Sequence, residues 1–426
     1  MAQAARLTRR IVGMLSAREA DLQLDAVEDK RAAHLVNWPL DVVLRIAIVC
    51  LSSGCNSLLE AEQRTVQMTP DIRHKLKILR RISDTTLRTV LVGQDPEQIR
   101  AVIHRQIRAA ARRKALLPDE LPFNVAMLDG KCTSLPSCDD FYAQRQTQDG
   151  KLIGVLRTMT VSLVTTAAKP CIDAIPIPAH TNEMAWFCTC VDALTAAYGR
   201  GDLFRMVAAD AGSCCEANGR HVRVLGLHYL FGLKANQPTL HAEAIRVLGE
   251  LNSCQACSVD TFGSSLRVER RVFLTEQLAG FEWDHLPTVL RVESRTFRYG
   301  KLTESEDRYF VSSLPASRLT PKQWLRLVRL MWGVENAVHC TLDKLMREDQ
   351  HPWIEADPKG ALIVALLRRI AYNLLSLFRS VTLRAEHNRL TDWKRLMRWV
   401  ELALLTAGPD DVARLRPRTA AAASTS

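Results

Sequence analysis

What the chain lacks narrows its class first. Across 426 residues no uninterrupted apolar run reaches the roughly 20 residues that a membrane-spanning helix needs. The tract from Val42 to Leu51 is short and contains Arg45, and the stretch from Ala361 to Phe378 is broken by Arg368 and Arg369. The opening residues, MAQAARLTRRIVGMLSARE, are basic but carry no apolar core or cleavage site for secretion. A cytoplasmic protein with no membrane partner is expected. A zinc tetrad is short of ligands: Cys254 and Cys257 form a CxxC, and no second CxxC follows among the 12 cysteines. In a reducing cytosol these read as free thiols in or near the core. No internal repeat is present, and low complexity is confined to the tail PRTAAAASTS, where no order is expected.

What is there is an ordinary globular composition, 47% hydrophobic and 24% charged, long enough for two or three domains. Lys and Arg number 57 against 46 Asp and Glu, a net charge of +11. That excess points to a polyanionic partner, of which nucleic acid is the commonest. Residues 1–118 read as a helical, basic N-terminal region. Trp38 to Leu51 is apolar at helical spacing, and Ser83 before DTTLRTVL is placed to cap a helix. From Arg73 to Lys114 twelve Lys or Arg face three acids. In the helix after Pro96, Arg105, Arg108 and Arg112 fall on one face, as a phosphate-contacting stripe or as a solvated helix surface.

From Leu121 the texture changes. FNVAMLDG is an apolar run ending in Asp-Gly; RTMTVSLVTT and CIDAIPIP follow as β-branched strands. Asn182 to Tyr198 reads as a helix. LFRMVAAD is a further apolar strand closed by an aspartate, and a helix from about Ser213 leads into the strand HYLFGLKANQ. This order predicts an α/β fold, a mixed sheet flanked by helices, with both aspartates at strand ends. Residues 257–315 alternate as antiparallel strands, and helix resumes at Thr320 and Pro321 and runs on through WGVENAVHCTLDKLMRED. The expected parts are 1–118, a core from 119–240, a β-rich insertion at 241–317, a helical completion of the core at 318–400, and a tail at 401–426.

Asp129, Asp210 and Glu335 come from separate elements. Carboxylates so supplied can converge on hard cations, and two ions about 4 Å apart can promote in-line phosphoryl displacement. Alone, such acids also serve as turn residues, caps or solvated charges. The motifs add to this: SDTTLRTVL at Ser83, LDGK at 128–131, TNE at 181–183, AADAG at 208–212, LKANQ at 233–237 and WGVENAVHCTLD from Trp332. In that order, over about residues 35–380, the chain resembles bacterial insertion-sequence transposases of the DDE type, which have an RNase H-like core.

The resemblance implies a DNA transposase that cleaves insertion-sequence ends and joins them to target DNA, with Asp129, Asp210 and Glu335 as catalytic and metal-holding acids. It implies Mg²⁺, for which Mn²⁺ can substitute, and a homodimer or higher assembly on terminal inverted repeats, in the nucleoid. Lys131, Lys234, Asn236, Arg329 and His339 become candidate DNA contacts beside Arg105, Arg108 and Arg112. Met331 and Cys340 depart from the family pattern, and Leu342 stands where related enzymes carry Lys. A catalytically inactive DNA-binding descendant of a transposase is the alternative; a nuclease that cuts without joining is another.

Overall fold

The computed structural model describes residues 2–139, 141–263, 265–278, 283, 285–383 and 391–413. The chain divides into two compact units, one of Met1–Ala109, Leu135–Ser137 and Thr341–Ser426, the other of Ala110–Ser134 and Cys138–Cys340.

The first unit is helical. Its N-terminal part holds α1 (Ala2–Leu22), α2 (Leu40–Ser52), α3 (Leu58–Gln67), α4 (Pro70–Lys75), α5 (Asp84–Val92) and the start of α6 (Pro96–Arg112). Ser57, Thr69 and Ser83 cap α3, α4 and α5 by accepting from the amides of Glu60, Ile72 and Thr86. Each cap satisfies a first-turn donor that the helix cannot satisfy itself.

The second unit is built on one mixed sheet. Its strands are β1 (Val125–Leu135), β2 (Ala143–Gln148), β3 (Lys151–Leu163), β4 (Cys171–Ile177), β5 (Met206–Ala209), β6 (His228–Leu233), β7 (Ala256–Phe262), β8 (Leu266–Thr275), β9 (Thr288–Arg298) and β10 (Lys301–Ser312). The order is β2-β3-β1-β5-β6-β10-β9-β8-β7, with β4 also on β3. Strands β1, β5 and β6 run parallel, and the pairs of β3 with β2 and β4 are antiparallel. β5 is buried at all four residues, as a central parallel strand must be. Helices α7 (Glu183–Tyr198), α8 (Glu216–Val224), α9 (Pro238–Gly249) and α10 (Pro321–Met331) complete the unit. Trp324, Leu327 and Val328 of α10 share a core with Leu230, Val272, Leu290 and Phe310 of the sheet.

The β-rich segment 241–317 opens with the rest of α9, which Pro238 starts at its first turn and which runs to Gly249. Its last strand, β10, pairs antiparallel with β6 from Tyr309–Leu233 to Ser312–Leu230, and so prolongs the sheet.

The chain then returns to the first unit with α11 (Cys340–Lys344), α12 (Pro358–Leu377), α13 (Trp393–Thr406) and α14 (Pro409–Ala413). The helices after residue 340 therefore group with the N-terminal ones and not, as the expected 318–400 segment had it, with the sheet. Helical periodicity shows which face is apolar but not which partner covers it. The segment Pro358–Thr382 has the length and hydropathy to cross a membrane, and its 18-residue apolar window is wholly buried inside the fold. It packs against α2. The arginines that seemed to interrupt it are part of that core: Arg369 donates to both carboxylate oxygens of Glu348 at 2.6 and 2.7 Å, and Arg368 donates to the His351 carbonyl. Residues 401–413 of the expected tail are largely helical, and 414–426 lie outside the described residues.

Candidate active site

The sheet sets two acids side by side. β1 and β5 pair in parallel at Val125–Met206, Ala126–Val207 and Met127–Ala208. Carried two residues further, that register puts Asp129 opposite Asp210. Asp210 does end its strand, and its Oδ1 accepts the Gly212 amide at 3.0 Å, capping a short turn. Asp129 does not end β1, contrary to expectation. The strand continues to Leu135, and only its burial changes, from four buried residues to an open, alternating pattern. On the far side of β5, β6 passes Asp210 at Gly232, where a Cβ would stand 3.0 Å from the Ala211 nitrogen. Glycine permits that approach.

The expected continuous helix through Glu335 is also corrected. α10 stops at Met331, and Val334–His339 forms a π-helical turn before α11. Gly333 lies against Val164, where a Cβ would be 3.2 Å from a valine methyl, so the chain enters this turn in close contact with the strand-end loop. π-turns of this kind recur at functional sites. Glu335 is exposed on the turn, and Asp129, Asp210 and Glu335 all line one cleft of about 410 Å³, with Lys234, Arg308 and Trp332. His339, from the end of the same turn, brings Nδ1 to 3.3 Å from Asp129 Oδ2. Its Nε2 is buried and has no hydrogen-bond partner among the described residues.

Sequence reasoning missed one acid. Glu183, in the first turn of α7, shares a second cleft of about 300 Å³ with Asp129, Asp210 and Arg157. A Cβ on Gly130 would fall 1.9 to 2.1 Å from the Glu183 carboxylate, so the acid rests on the bare backbone next to Asp129. Burial, and then the charges of Asp129 and Asp210, push the Glu183 carboxyl above its usual range; Arg157 and His339 partly offset this. The signal was present: Asn182 caps α7 by accepting the Ala185 amide at 3.0 Å, which places the glutamate of the TNE motif in the first turn.

The candidate DNA contacts divide. Lys234 is exposed on the first cleft, and Arg108 and Arg112 are exposed on α6. Others are committed inward. Lys131 is only 6% exposed, because it falls on a buried position of β1. Arg329 pairs with Asp260 at 2.6 Å. Arg105 is half-buried and donates to the Leu22 carbonyl at 2.9 Å. Asn236 donates to the Ala211 carbonyl at 2.6 Å and Gln237 to the Cys214 carbonyl at 3.0 Å. The LKANQ motif thus braces the loop that follows Asp210.

For a divalent ion the donor chemistry is suitable. In-register aspartates with a third acid against them offer the all-oxygen ligands that Mg²⁺ takes. Among the described residues, however, no three His, Cys, Asp or Glu side chains are close enough to enclose an ion. Mg²⁺ does not require such a cage, since it commonly takes one or two carboxylates together with substrate phosphate oxygens and water.

No family model matches the chain. Over 184 residues it is 28% identical to the protein YbfL of Escherichia coli (strain K12), covering 40% of this chain and 47% of that one. The chain thus spans about half the length of this curated relative. Among solved structures it is similar to a piggyBac transposase in a synaptic complex with hairpin DNA, determined by cryo-electron microscopy. The TM-score is 0.42 and the identity 14%, over 99% of this chain and 86% of that chain.

Proposed function

We propose that this chain is a DNA transposase of the DDE type, with an RNase H-like core, acting by divalent-metal phosphoryl transfer. The observation that carries the reading is the placement of Asp129 and Asp210 at matching positions on adjacent parallel strands, on a cleft that Glu335 also lines. Support comes from the strand order, in which β4 pairs antiparallel with β3, β3 neighbours β1, and β1, β5 and β6 run parallel. The ordered motifs from LDGK to WGVEN add to it.

In this reading Asp129, Asp210 and Glu335 would hold Mg²⁺ or Mn²⁺, which stabilises charge on the attacking and leaving oxygens of the phosphate. The chain's own groups prepare that site. His339 orients Asp129, Asn236 fixes the loop after Asp210, and Glu183 adds negative charge beside both aspartates. Lys234 lies where it can meet a DNA phosphate.

The test is cleavage of duplexes carrying the inverted repeats that flank the coding region, with Mg²⁺ or Mn²⁺. Replacing Asp129, Asp210 or Glu335 by Ala is expected to abolish cutting and leave end binding intact; normal cutting by any of the three removes that residue from the mechanism. A second reading, a DNA-binding descendant without catalysis, draws on the absence of a three-ligand cluster among the described residues. End binding by the wild-type chain without cutting in either metal would select it.

A further inference from the structure

We propose that a basic cleft in the helical unit binds the phosphate backbone of duplex DNA; this rests on the reading that DNA is the partner, and names a surface for it. The cleft, about 430 Å³, lies between the turn after α2, the end of α11 with its following loop, and α13. Lys344, Arg347, Lys394 and Arg398 line it and all four are exposed. None of the four has an ion-pair partner among the described residues, whereas other arginines of the same unit are engaged: Arg45 with Asp41, Arg100 with Glu97, Arg369 with Glu348. The one acid on the rim, Glu401, is taken by Arg64 at 2.7 Å. Among the residues that line it, four cations thus face one acid whose charge Arg64 already meets.

Its chemistry selects among polyanions. Lys394 and Arg398 are four residues apart on α13, hence on one face and about 6 Å apart along the axis. They can meet successive charges of an extended ligand. The cations reach into solvent, which suits backbone phosphates that exchange counterions for protein charge. No aromatic side chain lines the cleft among the described residues, so it lacks the stacking platform that single-strand binders use. A duplex, which presents phosphates and keeps its bases stacked, is the matching ligand. The arginines of α6, singled out from the sequence, are a different set.

The experiment measures affinity of the full chain for a short duplex without any element end, by fluorescence anisotropy at several salt concentrations. For K344Q/R347Q/K394Q/R398Q the slope of log affinity against log salt is expected to be shallower than wild type by about 3 to 4, and for K394Q/R398Q alone by about 2. The double variant serves if the quadruple one loses its cooperative thermal transition. Unchanged affinity and slope in the folded variants overturn the proposal. So does a variant that loses affinity for polyglutamate but keeps it for the duplex, which would mark an acidic protein as the ligand. If wild type fails to cut ends with divalent metal while the slope difference holds, the transposase reading fails and the cleft assignment stands.

Discussion

The carboxylate of Glu183 occupies the space where a side chain on Gly130 would begin, within 1.9 to 2.1 Å of an ideal Cβ there. Strand β1 can carry Asp129 beside Asp210 and still admit a third acid only because position 130 has no side chain. Gly130→Ala forces Glu183 to swing away. As the displaced atoms are the end of a flexible side chain, stability should change by no more than about 1 kcal/mol. Cleavage should fall as far as in Glu183→Ala, and the double variant no further, since both substitutions remove one interaction. Thermal unfolding and single-turnover cutting of the three variants check this; additive losses would contradict it.

In the proposed mechanism His339, 3.3 Å from Asp129, acts through that acid, so its removal should weaken cleavage without ending it. For His339→Ala we expect a loss on the order of 10- to 100-fold, the scale typical of residues that orient a ligand. Metal dependence should shift to higher Mg²⁺ concentration. A loss as complete as that of Asp129→Ala would mean that His339 touches the DNA or the reacting atoms directly.

Arg369 is fully buried and its charge is met by Glu348, itself 2% exposed. Glu348→Ala leaves that guanidinium without its carboxylate and should destabilise the helical unit by about 3–5 kcal/mol. Replacing both by apolar residues of similar volume should recover most of the loss. Denaturant unfolding of the single and double variants measures it.

His228, at the start of β6, is half-buried with Nδ1 3.1 Å from Arg223 and 3.2 Å from the Ser313 carbonyl. Burial, then the Arg223 charge, lowers its pKa below the usual 6.5. The sign follows from proton binding. Between the lowered folded value and the unfolded one, the unfolded chain holds more protons, so stability falls as pH drops below about 6.5. His228→Gln should flatten that fall. Melting temperature against pH, for wild type and variant, is the check; identical profiles would contradict it.

Much of the sheet was legible because its central strands are apolar or β-branched runs, and the aspartates stood out where such runs meet polar sequence. Ser83 as a cap was legible for the same local reason. The hairpin of β2 and β3 escaped because AQRQTQ is polar and exposed. Its signal was Asp149-Gly150, both at positive φ as a tight hairpin turn requires. Partner choice is not local: nothing in DRYFVSSL says that it pairs with HYLFGL. Nor does WGVENAVH reveal a π-turn, or that Gly333 before it lies against Val164, far back in sequence. The inward turn of Lys131 followed from strand alternation, which an assignment by charge alone overlooks. Asn236 and Gln237 look like ligand-binding amides in sequence and serve as loop braces, because the carbonyls they satisfy lie more than twenty residues away.

The most direct test of the account is Mn²⁺ binding, followed by electron paramagnetic resonance, in the wild-type chain and in Asp129→Asn/Asp210→Asn, each with end-bearing duplex. The account predicts that the wild-type complex depletes the free-ion signal and that the double variant, still bound to DNA, does not. Equal Mn²⁺ uptake by both complexes would contradict the central claim that these two in-register aspartates hold the metal.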